Sequence, residues 1–437
     1  MDITAYIRYN QSDQTRLERI MYYVPVPLYR KNVSIRRGEC IKNSAYEGNK
    51  QIFYMEFSHT SCLCPQCHTR TSRIKDYRQQ EILLAWLDDV PVYASFHKRR
   101  YVCPTCGHSF YPATPLVQPY QRRSQRQQLA MIRECARKQS FTDIANRFHL
   151  SVTTILRYFD CISYSKPATL PAILSLDEFR GNAPGQKHQV VVVDPARKTV
   201  LDILPQRDTQ QLIHYFATYP YAMRKTVNYV VMDSSALFRL VAQHMFPNAV
   251  IICDKYHIVR QVIWAMENVR KRIQPPWDHH RLYFKHNKKI LTKPGCNLTN
   301  DELVCLQEIL AQSDELRKAY ALKECFLQYY RCPQKQSARY FLRFWLDLVQ
   351  ASGLAEFKSL LHSFTDWFDG IINAIRLHYS NGFMEGHNNK IKVLKRVCFS
   401  IRNFHRFRNR ILFMDAATHS KRGTSHLNVP LTQRSLF

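Results

Sequence analysis

Between residues 173 and 273 short apolar runs alternate with amphipathic stretches, and the apolar runs carry aspartates. Ile173–Phe179 is an apolar strand interrupted by Asp177. Gln189–Asp194 and Thr199–Pro205, joined by a Pro-Ala-Arg-Lys turn, form an evident hairpin. Val227–Asp233 and Ala249–Asp254 are strands that each end in an acid. Residues 210–220, 234–246 and 256–273 place apolar side chains three and four apart, the spacing of helices with one buried face. The resulting order, β-β-β-α-β-α-β-α, demands a mixed sheet covered by helices. The chain has the means to bury one. Of its 437 residues 45% are hydrophobic and 12% aromatic, which excludes a disordered protein, and 11 glycines exclude a collagen-like one. This length suits about three domains.

That order is the order of the ribonuclease-H-like fold, in which the first strand is central and pairs with the fourth. On this topology Asp177 and Asp233 lie side by side and Asp254 sits one strand further out. Asp233 is therefore the better metal ligand of the two strand-end acids. Glu178 should face the opposite side of the sheet from Asp177 and is the weaker candidate; Asp194 and Asp202 read as surface or turn charges. Two carboxylates together in a sheet centre are costly unless a cation lies between them. Two Mg²⁺ (or Mn²⁺) ions roughly 4 Å apart would neutralise them and activate water and leaving group for in-line attack on phosphate. Such a site wants a third carboxylate. Glu385 is the candidate, in the first turn of a helix that begins after Asn381-Gly382 and carries Lys390, Lys392, Lys395 and Arg396. From Gly386 to Met414 there are basic residues and no acid, with Phe399, Phe404 and Phe407 interspersed, a pattern suited to a phosphate track.

The overall charge agrees. Lys and Arg number 63 against 34 Asp and Glu, a net +29, and the isoelectric point is near 9.7. An acidic polymer is the expected partner, and nucleic acid is the commonest. The rival, a basic membrane-surface protein, is disfavoured by a mean hydropathy of −0.37 and by the lack of any spanning apolar run. The polar start, MDITAYIRYNQSDQ, has no apolar signal region, so a reducing, cytoplasmic location is expected.

In such a compartment 14 cysteines read as thiols or metal ligands. Cys64-Pro-Gln-Cys67 and Cys103-Pro-Thr-Cys106 are matched pairs able to complete one tetrahedral zinc site. The stretch between them holds strand-like runs such as VPVYASF that can form a hairpin and bring the pairs together. With four thiolates the site is closed, hence structural. His68, His108 and Cys62 are possible substitute ligands; the bland alternative is four unrelated buried thiols. Residues 140–160 read as a helix-turn-helix. Ser140 caps a first helix with Ile144, Ala145 and Phe148 inward; His149-Leu150-Ser151 turns; Ser151 caps a second helix with Val152, Ile155, Leu156 and Phe159 inward. Ser151, Thr153, Thr154 and Arg157 are then candidate DNA contacts. Thr299-Asn300-Asp301-Glu302 is a capping box opening a helical region that runs to residue 375.

Together, the C-P-x-C pairs, the helix-turn-helix, LDEF, VVMDSS, FPNAVIICDKYHIVRQV and SNGFMEGHNNKIKVLKR…RNFHRFRNRIL resemble the ISL-three family of bacterial insertion-sequence transposases, over nearly the whole chain from Cys64 to Leu412. The resemblance implies a DDE transposase with Asp177, Asp233 and Glu385 as its triad, and an α-helical insertion before the Glu-bearing helix. Asp254-Lys-Tyr-His257 looks like the C/D-x-x-H signature of related transposases, with Cys253 the other residue able to fill its first place. The expected fold class is multidomain α/β. It comprises a segment 1–60 of unknown role, a small zinc-binding β domain (61–115) and a helix-turn-helix (120–165). A ribonuclease-H-like mixed sheet (170–275 and 376–415) follows, with a long α-helical insertion (276–375). The implied function is binding of an element's terminal inverted repeats, cleavage of phosphodiester bonds and joining of 3′ ends to target DNA. Double-stranded DNA and a homodimer or larger synaptic assembly are the expected partners, at the bacterial nucleoid, with no membrane. The alternatives are a sequence-specific regulator with an inactive transposase-like domain, and a metal-dependent nuclease of the same fold.

Overall fold

The computed structural model describes residues 41–56, 61–87, 90–112, 117, 123–181, 187–274, 285–331, 337–377, 379, 382–398 and 401–420. Residues 1–40, Asn381, Phe399 and, in the Tyr111–Gln128 junction, residues 113–116 and 118–122 lie outside them. The chain forms two compact units, one of residues up to 137 with 141–159, the other of 138–140 with 160 onwards. No helix among the described residues is long and apolar enough to cross a membrane.

The first unit is built on β1 (Ile41–Glu47), β2 (Lys50–Met55), β3 (Cys62–Leu63), β4 (Arg70–Thr71), β5 (Ile74–Leu87), β6 (Val90–Val102) and β7 (Ser109–Phe110). β5 and β6 form the long antiparallel hairpin expected between the cysteine pairs. Its open end pairs Ile74 with Tyr101, so the first pair enters the hairpin where the second leaves it. Residues 41–55, which the sequence leaves with the N-terminal segment, supply two further strands in the order β1-β2-β6-β5. Phe53, Val92, Ala94 and Phe96 fill the face beneath. Three helices complete the unit: α1 (Gln125–Glu134), α2 (Phe141–Arg147) and α3 (Val152–Phe159).

The second unit has one five-stranded sheet, from β8 (Ile173–Arg180), β9 (His188–Asp194), β10 (Thr199–Leu204), β11 (Tyr229–Met232) and β12 (Val250–Cys253), in the order β10-β9-β8-β11-β12. β8 is central. It runs antiparallel to β9 and parallel to β11, and β11 runs parallel to β12. The strand runs are short because parallel neighbours buried on both faces need only a few apolar residues each. The connecting helices are α4 (Thr209–Ala217), α5 (Tyr221–Arg224), α6 (Ala236–Met245) and α7 (Lys255–Ile273).

Among the described residues six α-helices follow: α8 (Lys288–Thr292), α9 (Asn300–Ala311), α10 (Asp314–Arg331), α11 (Ala338–Ala351), α12 (Ala355–Asp366) and α13 (Phe368–Leu377). The chain then returns as α14 (Gly382–Val397) and α15 (Phe404–Ser420). The capping box is present as expected: Thr299 Oγ1 accepts from the Glu302 amide, and Glu302 Oε2 accepts from the Thr299 amide. Sheet and inserted helices share one apolar core, in which Trp345 and Phe326 are fully buried.

Both sheet edges are closed by side chains rather than left to pair with another strand. At β12, Asn373 of α13 donates Nδ2 to the Ile251 carbonyl at 2.9 Å. At β10, Asp415 of α15 accepts from the Val200 amide at 2.9 Å. The β12 edge is packed tightly enough that α13 must carry a glycine. A Cβ on Gly370 would stand 2.6 Å from Cys253 Sγ. Gly370→Ala should therefore destabilise the protein by about 1–3 kcal/mol from overpacking, partly offset by about 1 kcal/mol of helix propensity. Adding Cys253→Ala should restore most of the loss in chemical denaturation. An equal loss in the single and double variants would rule out the clash.

Candidate active site and metal centre

The register of β8 with β11 ends on Leu176 opposite Met232, so the next residues along the two strands are Asp177 and Asp233. Likewise Met232 is opposite Cys253, and the following Asp254 donates its amide to the Met232 carbonyl at 2.7 Å. Asp233 and Asp254 thus follow the last residues of β11 and β12, and Asp177 stands within β8 where its parallel pairing with β11 ends. Their environments differ. Asp177 is buried; Oδ1 accepts from the Glu178 amide at 2.7 Å and Oδ2 from Asn388 Nδ2 at 2.8 Å. Asp254 caps α7, accepting from the Tyr256 amide at 3.3 Å, and its Oδ2 lies 3.7 Å from His257 Nε2. Asp233 Oδ1 is buried and has no hydrogen-bond partner among the described residues.

Charge follows from burial. Desolvation pushes the Asp177 carboxyl up, against the Glu178 amide, the nearby His257 and the Asn388 amide, which hold it down. Asp233 is pushed up to about 6, first by burial and then by the negative charges of Glu178 and Asp177, with His257 and Arg207 opposing. Glu178 therefore acts electrostatically at the same end of the sheet, although it lies off the Asp177 face. Arg207 makes a close ion pair with Glu178 and donates Nη2 to Ser235 Oγ at 3.0 Å. His188 Nδ1 lies 3.5 Å from the other Glu178 oxygen. Sequence reasoning assigned no role to Arg207, which sits outside any motif, or to Ser235 and Asn388, which lie inside the VVMDSS and SNGFMEGHNNKIKVLKR segments.

The folded protein holds a proton on Asp233 up to about pH 6, whereas an ordinary aspartate with a value of 3.8 has already released it in the unfolded chain. Folding thus binds protons in this window, and the stabilisation present below pH 4 is lost as pH rises through 6. Asp233→Asn should raise the stability of the metal-free protein by about 1–3 kcal/mol at pH 8 and by nothing near pH 4. A gain independent of pH would show that the carboxyl is not strained by burial.

Glu385 is exposed in the first turn of α14. Asn388, one turn later on the same helix, reaches Asp177. The basic side chains of α14 divide. Lys392 and Arg396 are exposed and Lys390 is half-buried. Lys395 departs from a simple phosphate contact: its ammonium donates to the Arg180 and Gly181 carbonyls at 3.0 and 2.7 Å, clasping the end of β8. Burial, with the charge of Arg180, lowers its pKa. The expected phosphate track on α15 is corrected outright. Arg406 pairs with Asp160 through two 2.6 Å contacts, Arg408 donates to Asp202 at 2.6 Å, and Arg410 is fully buried with Nη2 on the Gln139 carbonyl at 2.8 Å. Phe407 packs in the core against Phe179. Asp202 is likewise no surface charge: it is buried and also accepts from Tyr215 Oη at 2.9 Å. Asp194 is buried and caps its own turn through the Ala196 and Arg197 amides.

Among the described residues only Cys64, Cys67, Cys103 and Cys106 gather three or more possible ligands closely enough for one ion, with all four sulfurs within 4.8 Å of one another. The two knuckles are built alike. Each first-cysteine carbonyl accepts at 2.9 Å from the amide four residues on, His68 in one and Gly107 in the other. Those two residues take the left-handed conformation, φ 56° and 71°. Cys64 and Cys106 sulfurs lie 3.6 Å apart, Cys67 and Cys103 sulfurs 3.4 Å. A tetrahedral zinc–thiolate centre requires about 3.8 Å between sulfurs, so the donor set fits zinc. His68, His108 and Cys62 stay outside it. Zinc content should be one per chain, and Cys103→Ser in the full-length protein should lose it with a lowered melting temperature. Full retention of zinc by that variant would overturn the assignment.

In the helix-turn-helix, His149 takes φ 51° and the Leu150 amide closes on the Ala145 carbonyl at 2.9 Å. Ile144, Ala145, Ile155 and Phe159 are buried. Ser151 caps α3, its hydroxyl 3.3 Å from the Thr154 amide and 2.9 Å from the Thr154 hydroxyl. Thr153 and Arg157 are exposed. Trp86 of β5 stacks on the His149 ring at 3.9 Å, so the hairpin supports the turn.

Comparison with known families agrees with this arrangement. A family model described as a transposase, of the ISL3 type with the DDE domain, matches residues 174–411. The helix-turn-helix domain of transposase family ISL3 matches residues 112–161, and the zinc-finger of transposases IS204/IS1001/IS1096/IS1165 matches residues 60–106. The transposase for insertion sequence element IS1001 of Bordetella parapertussis is 24% identical over 371 residues, covering 82% of this chain and 89% of that protein. A Lactococcus lactis subsp. lactis protein named ATP-dependent protease is 31% identical over 130 residues, only 30% of this chain and 37% of its own length. With its transposase domain matched over more than half its length, this chain belongs to the ISL3 family of transposases.

Proposed function

We propose that this transposase binds the terminal inverted repeats of an insertion sequence, cleaves phosphodiester bonds there and joins the freed 3′ ends to target DNA. The observation that carries this reading is the parallel pairing of β8 with β11, which sets Asp177 beside Asp233, one of whose buried oxygens has no donor among the described residues. Oxygen acceptors without donors suit a hard divalent cation. Asp177, Asp233 and Glu385 would hold Mg²⁺ or Mn²⁺, which supplies Lewis-acid activation of water and stabilisation of the leaving oxygen. Glu385, exposed at the start of α14, is the ligand free to complete the site. His257, 3.7 Å from Asp254 at the head of α7, lies beside Asp177 and Asp233. Its role is accessory, distinct from ligation.

The address lies elsewhere in the chain. Thr153 and Arg157 on α3 would read base edges, with Ser151 and Thr154 shaping the start of that helix. Lys390, Lys392 and Arg396 would follow the backbone near the reacting phosphate, and Lys395 would hold the helix that presents them. We assign residues 61–115 to zinc binding, 120–165 to the helix-turn-helix, 170–275 and 376–415 to catalysis and 276–375 to the helical insertion. A dimer or larger assembly, acting at the bacterial nucleoid in the cytoplasm, would synapse the two ends.

Cleavage of the element's own end with Mg²⁺ tests the reading. Asp177→Asn, Asp233→Asn and Glu385→Gln should each reduce cleavage to background while end binding persists, since each removes one charge with little change in shape. Asp254→Asn should slow cleavage by about tenfold and leave Mn²⁺ binding in place. Loss of metal binding with Asp254→Asn but not with Asp233→Asn would exchange their roles. End binding with no cleavage by the wild-type protein would favour the regulator.

A further inference from the structure

We propose that Asn388 is a positioning residue of the metal site: its amide group fixes Asp177 on α14, and its carbonyl oxygen faces the ion held by Asp177 and Asp233. This rests on the reading of those aspartates given above. The chemistry of the contact decides which way the amide points. Asn388 Nδ2 donates to Asp177 Oδ2 at 2.8 Å, the orientation in which an amide meets a carboxylate acceptor. Oδ1 of Asn388 is then left buried, and it has no hydrogen-bond partner among the described residues. Asp233 Oδ1 is in the same condition.

Two buried acceptors lacking donors, on residues belonging to one cluster, are expensive unless something positive satisfies both. A hydrated divalent cation does so, and an uncharged amide oxygen is an ordinary ligand for one. The placement has a second consequence. Asn388 lies three residues after Glu385, so both occupy one face of α14. Fixing Asn388 on Asp177 therefore sets the rotation and height of the turn that carries Glu385. Lys395 fixes the same helix one and a half to two turns later, on the Arg180 and Gly181 carbonyls.

The test is Mn²⁺ affinity of the full-length protein without DNA, followed by calorimetry, with thermal melting and end binding as controls for folding. Asn388→Ala removes both functions of the amide and should weaken Mn²⁺ binding roughly 10–100-fold, the usual effect of losing a partner that orients a ligand. Asn388→Asp keeps an oxygen toward the ion but loses the donor to Asp177 Oδ2, so it should weaken Mn²⁺ binding clearly less than Asn388→Ala does. A merely structural asparagine would show neither this split nor the rescue by aspartate. Wild-type affinity in Asn388→Ala, or equal weakening in Asn388→Asp and Asn388→Ala, would overturn the proposal. Asp177→Asn serves as the reference. If it abolishes Mn²⁺ binding while Asn388→Ala does not, only the role of Asn388 fails; if it leaves binding intact, the assignment of the aspartates fails and this inference with it.

Discussion

Two carboxylates at the ends of neighbouring parallel strands are the constraint around which the second unit is arranged. Removing a charged carboxylate from water costs several kcal/mol unless hydrogen bonds or a counter-charge replace the water. Asp177 has such replacements in the Glu178 amide and Asn388. Asp233 Oδ1 has none among the described residues, and burial drives its carboxyl up. A sheet designed for stability alone would end these strands in apolar residues. That β8 and β11 instead carry acids at the same level, with Arg207 holding a third acid, Glu178, nearby, marks strain retained for a purpose.

Holding that strained edge in place is the task of segments far away in sequence. α14 and α15 arrive after the inserted helices, yet they fasten to β8 and β10. Lys395 takes the end of β8, Asp415 takes the β10 edge, and Arg408 neutralises Asp202. His387 of α14 stands 2.7 Å from Asp415 of α15, both buried, so the two helices meet closely at this point. The insertion does not hang free of this assembly. It shares the core of the sheet, and α13 closes the β12 edge through Asn373 and the close approach at Gly370. An insertion packed in this way can carry the chain away from the sheet and return it in a defined register.

Much of this was legible in the sequence because it is written in periods and local contacts. Apolar runs ending in acid mark strand ends, C-P-x-C marks a knuckle, and Thr299 with Glu302 marks a helix start, each recognisable within a few residues. The strand order followed from the element order. What escaped notice shares one property: its partner lies far along the chain. Arg406, Arg408 and Arg410 look like any solvated basic helix until Asp160, Asp202 and the Gln139 carbonyl are brought beside them. Asp202 was read as a turn charge for the same reason. Arg207 belongs to no pattern and Asn388 is one residue among many in its segment, since an amide or guanidinium reveals its role only through what it faces. Residues 41–55 were passed over because two ordinary strands carry no motif; they matter only once β2 pairs with β6.

The buried cations also change how the net charge of +29 bears on DNA binding. Salt dependence counts cations that displace condensed counterions from phosphates, and a guanidinium already satisfied inside the protein displaces none. Arg408 and Arg410 on α15 are spent on internal partners, and Lys395 on two carbonyls. Arg270, buried in α7, is paired with Glu267. The outward set near the proposed site is smaller: Lys392 and Arg396 on α14, with Lys390 partly covered. Arg157 stands on the exposed face of the helix-turn-helix. Composition alone therefore overstates the phosphate-binding surface, and the residues it overcounts are the ones that fasten the C-terminal helices to the sheet. The basic character of the chain serves two ends at once, with burial deciding which cation serves which.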